Sequence, residues 1–254
     1  MQLNLNADLG ESFGLWTMGD DAGLLGIVDS ANVACGFHAG DPVVMQRTVR
    51  DASKQGVGIG AHPGFHDLQG FGRREMRLSD DELAATVRYQ IGALEAFCRA
   101  SEVTMTHVKP HGALNNMACE QRPMADVVVE AVASLMPDIV FLAPALSELA
   151  AAAAARGLRV ALEIFADRAY TDQGTLVSRR EPGAVLEDSD TCIAHVRRMI
   201  AAGGLVTHAG KVLPTAFHSI CVHGDGSHAL ATARQLRAAL LDDGHELTCL
   251  TRIV

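Results

Sequence analysis

The chain has 254 residues, of which 48% are hydrophobic, and its formal net charge is −9 at neutral pH. This length fits one (β/α) barrel of roughly 250 residues with a large aliphatic core. An acidic chain without a basic cluster excludes a nucleic-acid partner, and no apolar run reaches the roughly 20 residues of a membrane span.

The N-terminus has no basic segment followed by an apolar run, so we expect no signal peptide. Six cysteines are widely spaced along the chain, and none belongs to a C-x-x-C pair. Such cysteines are expected to be reduced thiols that pack as small hydrophobic side chains, which indicates a cytoplasmic protein.

Short apolar or β-branched runs are predicted to be strands. LVTHA, from Leu205, is a weaker candidate than the rest. The seven stronger runs, in chain order, are QLNLNAD from Gln2, IVDSANVAC from Ile27, VGIGAH from Val57, VTMTHVK from Val103, DIVFLA from Asp138, LRVALEIFA from Leu158 and SICVHG from Ser219.

Helix signals lie between these runs. Asp41 followed by Pro42 indicates an N-cap and a first helical turn, and Ser79 with Glu82 predicts a capping box before an amphipathic run. Further helices are predicted from Arg122-Pro123, from Leu149 to Gly157, through about Ala202 with Ser189 as its cap, and from Ser227 to Asp243. The alternation of strand and helix predicts a parallel sheet with right-handed crossovers, and we expect residues 1–254 to form a single domain.

Ionisable side chains follow six of the seven predicted strands. They cost free energy at buried strand ends unless they are paired or used. A doubly wound sheet would gather its ligands at one switch point, whereas a barrel collects them from nearly every strand. The pattern therefore predicts a TIM-like barrel with one shared site. In chain order the side chains are Asp8 and Glu11, Cys35 and His38, His62, Lys109 and His111, Asp167 and Arg168, and His223 and Asp225.

Several of these residues have an alternative, purely structural interpretation. Asp8 could cap the turn that follows it, and Glu11 could be a solvated loop charge. His38 could brace the helix start at Asp41. His62 and His66 have the spacing of a metal pair, but Pro63-Gly64 between them argues against the helix that this spacing needs.

Lys109 is the most informative residue of the set, because a buried lysine requires an anion, and a substrate carboxylate or phosphate is a natural partner. His107 points to the same side of that strand and could be a hydrogen-bonded core histidine. Asp167-Arg168 could be a local salt bridge. His223-Gly224-Asp225 could be a turn, or a base with its orienting acid.

Three common catalytic and cofactor motifs are absent from the sequence. There is no G-x-S-x-G elbow of a serine hydrolase, no Walker loop, and no G-x-G-x-x-G that follows a strand. Serine acyl transfer and a Rossmann-bound cofactor are therefore not expected.

Long segments of the chain resemble the LamB/YcsF family of 5-oxoprolinase components. The resemblance extends from residue 3 to about residue 230, although Asn115 stands where the family is expected to have Tyr and His66 where it often has Pro. The matching segments are LNADLGESFG, SANVACGFHAGDP, GAHPGFHDLQGFGRR, VKPHGAL, EIFADRAYTDQGTLVSR and SICVHGDG.

This resemblance implies a seven-stranded (β/α) barrel of the glycoside hydrolase/deacetylase type. It also implies ATP-dependent opening of the lactam of 5-oxo-L-proline to L-glutamate, with Mg²⁺ accompanying ATP and two partner subunits. Lys109 and Arg168 are then expected to bind the anions. The candidates for water activation and proton transfer are Asp8, Glu11, His38, His62, His111, His223 and Asp225.

Two other functions remain open from the sequence. The related barrels hold a divalent metal ion with an Asp and two His, for which Asp8, His38 and His62 are the candidates, so a metal-dependent amidohydrolase or deacetylase is the main alternative. A regulatory or carrier subunit without turnover of its own is the third. Activity without ATP distinguishes the metal-dependent hydrolase from the ATP-dependent lactamase.

Overall fold

The structure, a computed structural model, describes residues 1–223 and 229–254. Its main feature is a closed parallel barrel, which confirms the predicted fold class. The barrel strands, in spatial order, are β1 (Gln2–Leu9), β2 (Ser30–Ala34), β3 (Gly58–His62), β4 (His107–Val108), β5 (Val140–Pro144), β6 (Arg159–Phe165) and β9 (Ser219–Val222). Parallel pairing of Asn4 with Ser219 joins β9 to β1 and closes the barrel.

Three further short strands lie beside the barrel. β7 (Gly204–Val206) and β8 (Val212–Pro214) form an antiparallel hairpin, so the weakly predicted LVTHA run is a strand in part but does not belong to the barrel wall. β10 (Glu246–Leu247) pairs in parallel with the first residues of β1.

Helices follow the strands around the barrel. Those of the described residues are α1 (Asp21–Leu25), α2 (Pro42–Lys54), α3 (Asp80–Ala100), α4 (Gly112–Glu120), α5 (Arg122–Ala133), α6 (Glu148–Arg156), α7 (Ser189–Ala202) and α8 (Ala229–Asp242), with a short 3₁₀ helix at Leu250–Arg252. None of these helices is long and apolar enough to cross a membrane.

The predicted helix starts are confirmed where a side chain caps the helix. Asp41 accepts hydrogen bonds from the backbone N–H groups of Val43 and Val44, and Ser79 and Glu82 form the capping box at the start of α3. Ser189 was wrong as the cap of α7, because the cap is Asp188, whose carboxylate accepts from the N–H of Thr191.

Two helices had no usable sequence signal. Helix α1 has only five residues, which is too short for a hydrophobic period to be recognised. Helix α4 starts at Gly112 directly after a strand end and has no side-chain cap at His111. The predicted start of α8 at Ser227 lies outside the described residues.

Apolar and polar side chains alternate along β1, and they belong to two different buried regions, one on each face of the strand. Leu3, Leu5 and Leu9 belong to the main apolar cluster, which also contains side chains of the surrounding helices. Asn4 and Asn6 alternate with them and are equally buried. Because successive side chains of a strand point to opposite faces, these amides and Asp8 line the inside of the barrel.

The inside of the barrel is a continuous polar network. Asn4 donates to the Ser30 hydroxyl at 3.0 Å and accepts from Ser219 at 2.8 Å. One level higher, Asn6 donates to Glu163 at 2.9 Å, and Asn32 donates to Asn6 at 2.7 Å. These amide and hydroxyl groups thus gain partners that offset their lost hydration.

His107 belongs to this network, as its core interpretation predicts. Its ring lies 2.8 Å from the Asn32 amide oxygen, and burial lowers its pKa to about 3. Gly60 on the neighbouring strand makes room for the ring, because an added Cβ would overlap the imidazole. At the opposite end of the barrel, Leu142 and Leu250 belong to a small apolar cluster.

His195 on α7 gives a test of stability against pH. The ring is buried and its Nε2 donates to the Arg168 carbonyl at 3.1 Å, and burial lowers its pKa to about 4. Unfolded histidine titrates near a pH of about 6.5. The unfolded chain therefore binds an extra proton between about pH 6.5 and about pH 4, and the free energy of unfolding falls as the pH falls through that window.

We expect the wild type to lose about 2 kcal/mol more than His195→Gln between about pH 7 and about pH 5. Urea unfolding of both proteins at the two pH values measures this difference. The exposed His208 supplies the control variant His208→Gln, which should follow the wild type. Equal losses in the wild type and His195→Gln would contradict the assignment.

Candidate active site at the mouth of the barrel

A cavity of about 610 Å³ opens at the carboxyl ends of the strands. The loops that follow parallel strands all lie at this end of the barrel. The residues predicted from the strand ends therefore meet there. Glu11 and His38 lie buried beside the cavity in contact with the same cluster, and Asp225 lies outside the described residues. The predicted site residues that line the cavity are Asp8, His62, Lys109, His111, Arg168 and His223.

Lys109 lies on the floor of the cavity between two carboxylates. Its Nζ is 2.9 Å from Glu163 Oε1 and 3.2 Å from Asp8 Oδ1, and it also contacts Asn6 and Cys221. Burial alone would lower the pKa of Lys109, but the neighbouring carboxyl groups of Asp8 and Glu163 hold it well above its usual range. The ammonium is therefore charged and already neutralised within the protein.

The two carboxylates respond differently to this lysine. Burial would raise the pKa of Asp8, but His62 and Lys109 hold it well below its usual value. At Glu163 burial outweighs Lys109, so the pKa is raised. Asp8 is the carboxylate that faces the cavity, and its second oxygen lies 3.4 Å from Nε2 of His62.

Three histidines and Glu11 converge beside Asp8. His62 Nε2 and His111 Nδ1 are 3.0 Å apart, and the His38 ring stacks on His111 with 3.7 Å between centroids. Glu11 Oε1 is 3.4 Å from His38 Nε2. Burial, followed by the neighbouring histidines, lowers the pKa of His38 and of His111 well below the usual range. One donor atom from each of the four residues lies within 4.8 Å of the others.

This donor set fits a divalent metal ion. Imidazole nitrogens and a carboxylate oxygen are common ligands of zinc and related ions. The group shares His38 and His62 with the set predicted from sequence. It adds Glu11 and His111, whereas Asp8 stands next to the group and is bound by Lys109 and Asn32.

On the opposite wall, His223 pairs with Asp167. Nδ1 of His223 lies 2.8 and 2.9 Å from the two Asp167 oxygens, and the ring stacks on Phe165. Although burial would raise the pKa of Asp167, the neighbouring histidine holds it below the usual value. His223 is thus oriented by a carboxylate, and among the described residues that carboxylate is Asp167.

Arg168 turns away from the predicted salt bridge with Asp167. Its guanidinium donates to the carbonyl groups of Val177 and Ala184, at 2.7 and 3.3 Å, so it anchors the loop after β6. Burial lowers its pKa to about 10. Arg179 and Arg180, carried by this loop, line the cavity as well.

Two other structural interpretations were wrong. His38 does not brace the start of α2, because Asp41 caps that helix with its own carboxylate. Glu11 is not solvated, since it is only 6% exposed. His66 is exposed and stacks on Phe37, away from the histidine cluster. His62 and His66 therefore do not form a metal pair, as the intervening Pro63-Gly64 indicated.

Three buried polar residues were missed from sequence. Asn6, Asn32 and Glu163 hold Asp8 and Lys109 in place, and each lies inside a strand rather than at its end. The signal was present in the LNLNAD run, where Asn4, Asn6 and Asp8 recur at every second position. That period places them on the inner face of the strand.

Comparison with known proteins agrees with the fold. The model of the LamB/YcsF family matches residues 3–254. A protein of Azoarcus sp. (strain BH72) that is named as a 5-oxoprolinase subunit is 57% identical over 247 residues, which cover 97% of this chain and 96% of the relative.

Solved structures show the same barrel. The lactam utilization protein from Thermus thermophilus has a TM-score of 0.92 at 41% identity and covers 98% of this chain and 100% of its own. The catalytic domain of a peptidoglycan N-acetylglucosamine deacetylase from Eubacterium rectale, 11% identical with a TM-score of 0.53 over 98% of this chain and 88% of its own, shares the fold alone. On the family match across nearly its whole length, the chain belongs to the LamB/YcsF family.

Proposed function

We propose that this chain is the 5-oxoprolinase component in which the lactam of 5-oxo-L-proline is opened to L-glutamate. The observation that carries the proposal is the 57% identity, over 97% of the chain, with a relative that is named as a 5-oxoprolinase subunit. We further propose that residues 1–254 act as one barrel domain, together with two partner subunits, and that all six free thiols reflect a cytoplasmic location.

The reaction needs activation, because a five-membered lactam is a stable amide. Transfer of the γ-phosphoryl group of ATP to the lactam oxygen forms an O–P bond and releases ADP. Water then adds to the ring carbon, and the C–N bond breaks as the nitrogen takes up a proton. A second water releases phosphate and leaves L-glutamate. The sequence has no Walker loop, so we assign the phosphoryl transfer to the partner subunits.

The residues of the cavity suit the ring-opening steps. We assign His223, oriented by Asp167, as the base that activates water. Arg168, Arg179 and Arg180 provide a cationic wall for the substrate carboxylate and the phosphoryl group. Asp8, held by Lys109, faces His62 and is suited to moving a proton to or from the histidine cluster.

A metal-dependent amidohydrolase is the second candidate. The observation that favours it is the convergence of Glu11, His38, His62 and His111 within 4.8 Å. A divalent ion at these residues would polarise the scissile carbonyl. Such an enzyme would open the ring without ATP, whereas the lactamase that we propose would not.

The test is glutamate formation from 5-oxoproline by this chain mixed with its candidate partner subunits, with and without ATP and Mg²⁺. We expect ATP-dependent glutamate that disappears with Asp8→Asn and persists with Lys54→Met, an exposed control on α2. No glutamate in any mixture would refute the proposal. Glutamate that persists with Asp8→Asn would instead favour a carrier role for this chain.

A further inference from the structure

We propose that Glu11, His38, His62 and His111 bind one divalent transition-metal ion. The proposal rests on the geometry of this cluster and holds whether or not the lactam is the substrate. The contacts of Lys109 with Asp8 and Glu163 on the cavity floor are not part of this proposed metal site.

Backbone hydrogen bonds fix which nitrogen of two histidines can bind a cation. His62 Nδ1 lies 2.6 Å from the Lys109 carbonyl, and His111 Nε2 lies 2.8 Å from the Phe71 carbonyl. A carbonyl only accepts, so both of these nitrogens carry the hydrogen. The remaining nitrogens, His62 Nε2 and His111 Nδ1, are 3.0 Å apart and present two lone pairs to each other.

Two lone pairs at this distance repel unless a cation lies between them. Metal-bound histidines usually donate their second ring N–H to a carbonyl or carboxylate, which fixes the ring and raises its basicity as a ligand. His62 and His111 both show this arrangement with backbone carbonyls. The strand end at β3 and the segment before α4 thus hold two ligands in a preformed orientation.

His38 supplies the third nitrogen. The residue is 1% exposed, and neither of its ring nitrogens has a hydrogen-bond partner among the described residues. A buried imidazole normally finds such a partner. Here Nε2 faces the carboxylate of Glu11 at 3.4 Å, and the ring lies against His111. A metal ion would give this nitrogen the partner that the protein does not.

The distances match a four-ligand site. Ligand atoms at about 2.0–2.2 Å from an ion in tetrahedral geometry lie roughly 3.3–3.6 Å from one another. The His62–His111 and Glu11–His38 separations of 3.0 and 3.4 Å are close to this range, and all four atoms fall within 4.8 Å.

The donor set also selects the kind of ion. Three imidazole nitrogens and one carboxylate oxygen suit Zn²⁺, Co²⁺, Mn²⁺ or Fe²⁺, whereas Mg²⁺ and Ca²⁺ prefer oxygen ligands. The ion would therefore be distinct from the Mg²⁺ that accompanies ATP. Asp8 lies outside this four-residue group, and its Oδ1 is bound by Asn32 and Lys109, at 2.9 and 3.2 Å.

The experiment measures metal binding without any substrate. The full chain is stripped with a chelator, loaded with Zn²⁺ or Co²⁺, desalted and examined by elemental analysis. We expect one ion per chain, a visible Co²⁺ spectrum typical of nitrogen and oxygen ligands, and no displacement by a large excess of Mg²⁺. A wild type that retains no stoichiometric Zn²⁺ or Co²⁺ would overturn the proposal.

Variants then test the ligand set. His111→Gln and Glu11→Gln should weaken Co²⁺ binding by about 100-fold or more, and Glu11→Gln covers the case in which the histidine variant does not fold. Two matched controls, Asp8→Asn beside the cluster and His66→Gln on the exposed loop, should still bind one ion. Loss with Asp8→Asn but not with Glu11→Gln would overturn the assignment in favour of an aspartate-based set.

Discussion

Lys109→Met should abolish glutamate formation by the reconstituted enzyme and lower the free energy of unfolding by about 3–5 kcal/mol. The reason is the burial of its two carboxylate partners, Asp8 and Glu163, at 3.2 and 2.9 Å from the ammonium. Without the lysine, the buried Asp8 and Glu163 side chains lose the cation that compensates them. Urea unfolding at neutral pH and the glutamate assay measure the two effects.

A second variant separates stability from chemistry. Replacing the whole group, as Asp8→Asn, Lys109→Met and Glu163→Gln together, removes all three charges, so most of the lost stability should return. Activity should not return, because Asp8→Asn removes the carboxylate that faces His62. If Lys109→Met alone unfolds at the wild-type urea concentration, the ion group does not stabilise the barrel.

Asp167→Asn should lower kcat by about 10²- to 10⁴-fold, with a smaller change in KM. The Asp167 carboxylate accepts the Nδ1–H of His223 and so keeps the lone pair on Nε2. An asparagine amide at this position can donate to Nδ1 instead, which would place the hydrogen on Nε2 and block its action as a base.

The same pair allows a double-mutant cycle. If Asp167 acts only through His223, then Asp167→Asn should have little further effect in a His223→Gln background. The exposed Asp188, which caps α7, provides the carboxylate control Asp188→Asn. Additive losses from the two site variants would show that Asp167 has a separate role.

The barrel was predictable because its signals are local. Strand periodicity, the caps at Asp41 and Ser79, and the charged strand ends each depend on a few neighbouring residues. The hairpin at Gly204 was less predictable, since a short apolar run does not reveal which strand it pairs with. Helix α4 was missed because it begins at a glycine with no cap.

The members of the site were predictable, but their pairings were not. Strand ends identified Asp8, Lys109 and His223, because the carboxyl ends of parallel strands meet. The partners of these residues lie on distant strands: Glu163 is 54 positions from Lys109, and Asp167 is 56 from His223. No spacing in the sequence encodes such contacts, and the sequence indicates only a local partner for Asp167, its neighbour Arg168.

Closure of the barrel through β1 and β9 has a consequence for biosynthesis. Asn4 and its partner Ser219 are 215 positions apart, so Asn4 is translated well before Ser219. At about 5–20 residues per second, ribosomes need roughly 10 to 40 s to cover that interval. Until then β1 has an unpaired edge, and the carboxylates of Asp8 and Glu11 have no enclosed cavity. The cavity at the mouth of the barrel can therefore be enclosed only after the last barrel strand has been translated.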